Sequence, residues 1–255
     1  MSATLLLLAL PVAAISAIRG VWSPCGLSML SSITPMTEAG RGNRFNITAA
    51  WFVVGGVLGG LSLGLLAAGA ALGVAALDWA DGTRIGVAAV LAAITAAIDL
   101  GVGGVELPIF KRQVNDAWLR RYRSWAYGAG FGWQIGFGVD TYIMTAGVFL
   151  TIGLAVLTAS PLQAVVIGVT FGLVRGSAVF IGRPATTPAA LGQVHQRLDV
   201  AGPTARAAAA GIQVVAAAVF AGLAWHPVAG LAVVALAGSA VVTRGRTGAR
   251  PVLRN

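Results

Sequence analysis

The sequence predicts an all-α membrane protein that crosses the bilayer about seven times. Of its 255 residues, 57% are hydrophobic and only 10% are charged, and the mean hydropathy is +0.85. A water-soluble domain of this size needs a larger polar surface. A spanning helix takes about 20 apolar residues, and the chain offers several such runs between short polar breaks. The predicted fold class is therefore a polytopic helical membrane protein, with the lipid bilayer as its first partner.

Seven apolar runs define the predicted spans. The first 18 residues have the apolar character of a signal-peptide core, but they lack a basic start and the apolar run continues beyond them. They are therefore included in the first span. The predicted spans are 3–33, 47–76, 84–105, 127–158, 161–182, 206–224 and 228–243.

The distribution of basic residues predicts the orientation. With the N-terminus outside, fourteen of the 17 lysines and arginines fall on one side of the membrane, and only Arg84 falls on the other. Basic residues accumulate on the cytoplasmic side, so this side and the C-terminal tail are predicted to be cytoplasmic, in a cytoplasmic membrane of bacterial type. The fourteen residues are Arg41, Arg44, Lys111, Arg112, Arg120, Arg121, Arg123, Arg183, Arg197, Arg206, Arg244, Arg246, Arg250 and Arg254.

A displacement of 112 residues relates the two halves of the chain. Spans two and five carry glycine ladders at the same spacing, and small residues let neighbouring helices approach closely. The ladders are Gly56, Gly60 and Gly64, and Gly168, Gly172 and Gly176. Three spans per half is an odd number, so the halves are expected to be inverted in the membrane. The predicted organisation is a first repeat at 1–105, an interfacial segment at 106–126, a second repeat at 127–224, and an extra helix with a basic tail at 225–255.

Four charged residues fall inside predicted spans, namely Arg19, Asp99, Asp140 and Arg175. An unpaired charge at the bilayer centre costs at least about 2.5–3.5 kcal/mol, so each is expected to face protein or water. Depth along the spans predicts two ion pairs, Arg19 with Asp140 and Asp99 with Arg175. Such pairs either fix the register of neighbouring helices or line a path for protons or a charged solute.

The single cysteine, Cys25, lies in a segment that combines prolines, a glycine and several hydroxyl side chains. Pro24 and Pro35 predict breaks in the first span, because proline lacks the backbone donor that a continuing helix uses. Three interpretations of the thiol are open: an apolar packing residue, a nucleophile activated by a helix N-terminus and Arg19, or a soft-metal ligand. The methionines that would complete a Cu(I) site are Met29, Met36 and Met144.

Composition excludes several other kinds of site. One cysteine excludes an intramolecular disulfide, and one cysteine with His195 and His226 is too few for a structural zinc site. No cofactor is expected.

The segment from Lys111 to Gly128 mixes five basic residues with four aromatic ones. This pattern is typical of an interfacial helix that is anchored by aromatic rings and held to anionic headgroups. A docking face for a cytoplasmic partner is the alternative. Nothing beyond charge suggests nucleic-acid binding, and membrane topology accounts for the net charge of +9.

The sequence SPCGLSMLSSITP resembles the first-span motif of the CcdA/DsbD family of transmembrane thiol-redox proteins. The residues that carry the resemblance are Ser23, Pro24, Cys25 and Pro35. The inverted three-plus-three repeat is similar to that family and to the wider LysE-type exporter superfamily. The resemblance implies a protein that passes reducing equivalents across the membrane, as in cytochrome c biogenesis, with Cys25 as the nucleophilic thiol toward a thioredoxin-like partner.

The second repeat departs from that family, because it has no cysteine. The displacement places Phe137 opposite Cys25, with Asp140 and Thr141 nearby. A relay between two internal thiols is therefore excluded, and a single thiol would act through mixed disulfides with a partner. Two other functions remain open: a transporter of a small solute or metal ion, with the four intramembrane charges along its path, and a non-catalytic membrane subunit.

Overall fold

The structure, a computed structural model, describes residues 2–102, 118–139 and 141–248. Within these ranges the backbone forms helices and no strand. The helical segments that are long and apolar enough to cross a membrane are Ala3–Trp22, Phe45–Ala76, Asp81–Leu100, Pro161–Gly182 and Pro188–Ala224. The prediction of a helical membrane protein is confirmed. Two shorter apolar helices, Gly147–Leu157 and Pro227–Ser239, fall in the other predicted spans, so the count of seven crossings stays a prediction.

The described ranges contain eleven α-helices. They are α1 (Ser2–Arg19), α2 (Pro24–Ser32), α3 (Pro35–Gly40), α4 (Phe45–Ala76), α5 (Asp81–Leu100), α6 (Trp118–Arg121), α7 (Ser124–Phe137), α8 (Gly147–Leu157), α9 (Pro161–Ser177), α10 (Pro188–Ala224) and α11 (Pro227–Gly248), with 3-10 turns at Gly20–Trp22 and Ala178–Gly182. Most of the predicted segment 106–126 lies outside the described residues.

The first predicted span is not one continuous helix. α1 ends at Arg19, a 3-10 turn follows, and α2 begins at Pro24. The Oγ of Ser23 accepts a hydrogen bond from the backbone N–H of Gly26 at 3.1 Å and so caps α2. Proline suits the first turn of a helix, where its missing N–H is not needed. The Ser-Pro pair is thus a helix start.

A second break separates α2 from α3. The side chains and backbones of Thr34 and Thr37 form a reciprocal capping box, and Pro35 occupies the first turn of α3. The prolines therefore begin new helices at both breaks.

The predicted span 127–158 is not one continuous helix. α7 ends at Phe137 and α8 begins only at Gly147. Gly138 adopts a φ of +80°, a left-handed conformation that glycine reaches without a Cβ penalty. The chain thus turns in the middle of the predicted span.

α10 is much longer than the predicted span 206–224. It begins at Pro188, where Thr187 accepts a hydrogen bond from the N–H of Ala190 at 3.2 Å, and it contains Pro203. A helix of 37 residues is about 55 Å long, whereas the hydrocarbon core is about 30 Å thick. Part of α10 therefore extends beyond the bilayer core.

α4 is the central helix, and its neighbours approach it backbone to backbone. A Cβ on Gly56 would lie 2.8 Å from the carbonyl oxygen of Gly172 on α9, and a Cβ on Gly60 would lie 2.8 Å from the Cα of Gly172. α7 packs on another face of α4, where a Cβ on Gly128 would lie 2.9 Å from the carbonyl oxygen of Thr48. Only small residues permit this approach, so the two predicted ladders meet in the structure.

The order of these contacts gives the helix directions. Moving along α4 from Gly56 to Gly64, the contacts on α9 move backwards from Gly172 to Val165, so the two helices are antiparallel. The contacts on α7 move forwards, so α7 is parallel to α4. Antiparallel packing of corresponding helices is the arrangement that an inverted duplication would produce. The duplication itself stays a prediction.

We expect Gly60→Ala to destabilise the protein, because the new methyl group would overlap the backbone of α9. Overpacking of this kind costs about 1–3 kcal/mol. Gly73→Ala on the same helix is the matched control, since a Cβ there meets no heavy atom within 4 Å. Unfolding midpoints of the purified variants in detergent test this. Equal midpoints would contradict the packing role of the ladder.

Candidate functional site

An open cleft of about 790 Å³ lies where the ends of α1 and α5 meet the middle of α10. Its charged lining residues are Arg19, Asp99, Asp199 and Arg206, and its apolar wall includes Trp22, Leu27 and Met144. Charged residues within spanning segments are costly unless they face protein or water. The cleft therefore offers both signs of charge beside an apolar wall, which suits a ligand with a polar and an apolar part.

Arg19 and Trp22 form one side of the cleft. The guanidinium of Arg19 lies over the ring of Trp22, 5.7 Å from its centroid. The indole N–H of Trp22 donates a hydrogen bond to the carbonyl oxygen of Leu198 on α10 at 2.8 Å. Arg206, also on α10, lies within electrostatic range of Arg19. Asp99 is also within electrostatic range of Arg19, and Asp199 lines the same cleft, so both carboxylates and guanidinium groups face it.

Asp99, at the end of α5, is held by three donors. One carboxylate oxygen accepts a hydrogen bond from the backbone N–H of Ala146 at 2.8 Å. The other accepts from the amide of Gln213 at 2.6 Å and from the hydroxyl of Thr145. A carboxylate at a helix N-terminus satisfies unpaired N–H groups and is favoured by the helix dipole. Asp99 thus fixes the start of α8 against α10.

Two buried polar atoms beside this carboxylate have no hydrogen-bond partner in the described part of the chain. They are the amide oxygen of Gln213, a fully buried residue, and the hydroxyl of Ser16. A buried polar group without a partner costs about 1–3 kcal/mol, so such groups are rare and need an explanation. These two atoms are the ones available to a water molecule or a ligand behind the cleft. The signal in the sequence is a lone amide in the apolar run AAAAGIQVVAAAVF.

The predicted ion pair between Asp99 and Arg175 is wrong, because the two side chains have other partners. Arg175 is 4% exposed, and its guanidinium donates hydrogen bonds to the carbonyl oxygens of Ile135 at 2.9 Å and Ala17 at 3.3 Å. It also donates to the hydroxyl of Thr141 at 3.4 Å. Arg175 therefore ties α9 to α1 and α7. Asp140 lies outside the described residues, so its pairing with Arg19 stays a prediction.

Cys25 lies on α2 and is 3% exposed, so the thiol is sealed from solvent. The guanidinium of Arg175 is within electrostatic range of it. Arg175 also fills the space beside Gly20, where any Cβ would overlap the guanidinium. The 3-10 turn, the thiol and the buried arginine form one packed unit.

The soft-metal candidates are divided among different surroundings. Met29 is buried with Leu30 and Ile33 in a hydrophobic cluster, Met36 is partly buried on α3, and Met144 lines the cleft. In the part of the chain that the structure describes, no group of three or more His, Cys, Asp or Glu residues could hold a metal ion. The Cu(I) site stays a prediction.

The fold and the cleft define a multi-pass helical membrane protein with a charged site at one end of its helices. No protein-family model and no solved structure matches the sequence. The chain is similar to methylamine utilization protein MauF of Paracoccus versutus, with 33% identity over 159 residues, which cover 60% of this chain and 57% of the relative. MauF of Paracoccus denitrificans is 31% identical over 160 residues, which cover 60% of this chain and 56% of the relative.

A third relative, from Methylorubrum extorquens, carries the same name. It is 28% identical over 165 residues, which cover 63% of this chain and 57% of the relative. The matched stretch therefore spans less than three fifths of each relative's own length.

These relatives overturn the resemblance to the CcdA/DsbD family, since all of them are named MauF. The thiol-redox function and the thioredoxin-like partner are not supported, and neither is the transporter alternative. The physical reason lies in the motif itself. Ser23 and Pro24 are a general helix-start signal, and Cys25 behind them is buried.

We expect Asp99→Ala to destabilise the protein by about 1–3 kcal/mol, because Gln213 and the N-terminus of α8 lose their acceptor. Asp199→Ala is the control, since Asp199 lines the same cleft but is exposed. Unfolding midpoints and hydrogen exchange of the first amides of α8 measure the effect. Unchanged exchange in Asp99→Ala would show that the carboxylate does not hold this helix.

Proposed function

We propose that the protein is a membrane component of methylamine utilization and that it acts through the charged cleft. The proposed role in methylamine utilization is supported by the name that the four matched relatives share, at 28–33% identity. Since the match spans less than three fifths of each relative, the role is proposed from that stretch alone.

The proposed location is a cytoplasmic membrane of bacterial type, with the arginine-rich ends of the helices inside. Support comes from the fourteen of 17 basic residues that the sequence places on one side. Arg19 lies at the C-terminal end of α1 and lines the cleft with Arg206, so in this orientation the cleft would open toward the cytoplasm. The two shorter apolar helices, Gly147–Leu157 and Pro227–Ser239, would complete seven crossings.

The cleft suits a ligand that carries an anionic group and an apolar part. Arg19 and Arg206 would pair with the anionic group, while Trp22 and Met144 would contact the apolar part. Asp99 contributes by positioning, because its carboxylate holds the start of α8 behind the cleft. In this proposal Arg19 and Arg206 contact the ligand, whereas Asp99 holds the start of α8 in position.

Deletion of the gene in its own host tests the proposed role. We expect growth with methylamine as the nitrogen source to be lost or strongly reduced, while growth with ammonium is unchanged. The expressed protein should restore growth. Equal growth of the deletion strain and its parent on methylamine would refute the role.

Substitution of the cleft arginines tests the proposed site. We expect Arg206→Gln and Arg19→Gln to be produced at normal levels but to restore growth on methylamine poorly, because an anionic group loses its cation. Arg197→Gln is the matched control, since Arg197 is exposed on the same helix but lines a different pocket. Full complementation by both cleft variants would remove the site from the proposal while leaving the role intact.

A further inference from the structure

A second cleft, of about 560 Å³, lies where α4 and α7 begin, and none of its lining residues belongs to the first cleft. Its polar lining includes Arg41, Asn43, Arg123 and Ser124, and its aromatic lining includes Tyr122 and Trp125. It is therefore a basic cleft with aromatic walls, and the proposed function does not use it.

The floor of this cleft is a built polar network around Glu38, which is completely buried. One oxygen of Glu38 accepts hydrogen bonds from the hydroxyl of Tyr127 at 2.5 Å and from that of Thr48 at 2.6 Å. The other oxygen pairs with the guanidinium of Arg41 at 2.8 Å, and this nitrogen also donates to the carbonyl oxygen of Ser32 at 2.8 Å. The network holds the Arg41 side chain in place at the cleft.

The charge of the cleft is not balanced by these contacts. Glu38 compensates Arg41, whereas Arg123 is exposed and forms no salt bridge within the described ranges. α7 begins beside Arg123 without a side-chain cap, which adds the positive end of a helix dipole. The cleft is therefore electrostatically suited to an anion.

The surroundings of the cleft have the composition that is typical of the level of lipid headgroups. α4 and α7 run in parallel and start at this end, and the rings of Trp51 and Trp125 lie 6.1 Å apart beside it. Trp125 is 52% exposed and Tyr122 is 50% exposed. Exposed tryptophan and tyrosine concentrate at the membrane–water interface, and basic pockets between helices bind anionic headgroups there.

We propose that this cleft binds the phosphate-bearing headgroup of an anionic phospholipid. Arg123, whose charge has no internal partner in the described ranges, pairs with the phosphate, and the rings of Tyr122 and Trp125 flank the glycerol and the first methylenes. A free phosphate ion has the same charged group as the lipid. However, it would leave most of a 560 Å³ cleft and both exposed rings without contact. A phospholipid headgroup would contact the basic residue, the two rings and the rest of the cleft.

Lipid titration of the full-length protein in detergent, followed by native mass spectrometry, tests this proposal. We expect wild type to retain one phosphatidylglycerol molecule in preference to phosphatidylcholine. Arg123→Gln should weaken that binding about fivefold, the effect of one basic residue near an anionic surface, and Arg123→Lys should preserve most of it. Arg121→Gln is the matched control, because Arg121 is an exposed neighbour that does not line the cleft.

The other outcomes overturn the proposal. Equal binding of the two lipids by wild type would exclude a headgroup site. An equal loss in Arg121→Gln and Arg123→Gln would show diffuse attraction in place of a defined cleft. Displacement of the lipid by excess inorganic phosphate, with phosphate bound alone, would assign the cleft to a free ion. Unfolding midpoints of the variants are expected to match wild type, since Arg123 has no buried partner in the described structure.

Discussion

The close approach of glycine backbones around α4 is the contact on which the rest of the structure depends. Lipid tails are as apolar as leucine, so helices in a bilayer gain little from hiding apolar side chains from one another. What remains is van der Waals contact, and it is greatest where no Cβ separates the backbones. Gly56 and Gly60 face Gly172 in this way on one side of α4, and Gly128 faces Thr48 on another. The positions of α7 and α9 follow from these contacts.

Interrupted helices require polar partners, and the partners explain where the charged residues lie. Irregular backbone at membrane depth is tolerated only where protein or water satisfies its polar groups. At the first break, Ser23 accepts from Gly26 and the carbonyl of Ala17 accepts from Arg175. At the break between α7 and α8, the carboxylate of Asp99 accepts from the N–H of Ala146. Arg175 also donates to the carbonyl of Ile135 and to the hydroxyl of Thr141 at this break. Asp99 and Arg175 do not form a pair because each is bound to other polar groups.

The sequence predicts the parts of the fold that depend on local signals. Long apolar runs locate α4, α5 and α9 to within a few residues, and the prolines locate the breaks around α2. The turn at Gly138 could not be distinguished, because glycine is also frequent inside the helices of this chain. A Cβ at this position would lie 2.7 Å from the ring of Phe171, which is a tertiary contact that no local pattern reveals.

Partners of buried polar groups were harder to predict, since they depend on how each helix is rotated against its neighbours. Depth along a span brings Asp99 and Arg175 to similar levels, but depth says nothing about which face each occupies. Gln213 presents the same difficulty. In the sequence it is an isolated amide in an apolar run, and only the packing of α10 brings its side chain within hydrogen-bond distance of Asp99. The Ser-Pro-Cys motif misled for a related reason: a helix-start signal has the same residues whether or not the thiol behind it reacts.

The arginines of the described ranges have different physical roles, although a simple count of charge treats them alike. Arg175 is internal and replaces backbone partners at a break, whereas Arg41 neutralises a buried carboxylate. Arg206 and Arg123 are exposed, face clefts and lack a salt bridge in the described ranges. Since internal pairing already accounts for the first two, the last two hold the charge that is available to ligands. The charge bias from which the orientation is predicted thus includes cations that have no internal partner in the described ranges and that can meet anionic groups.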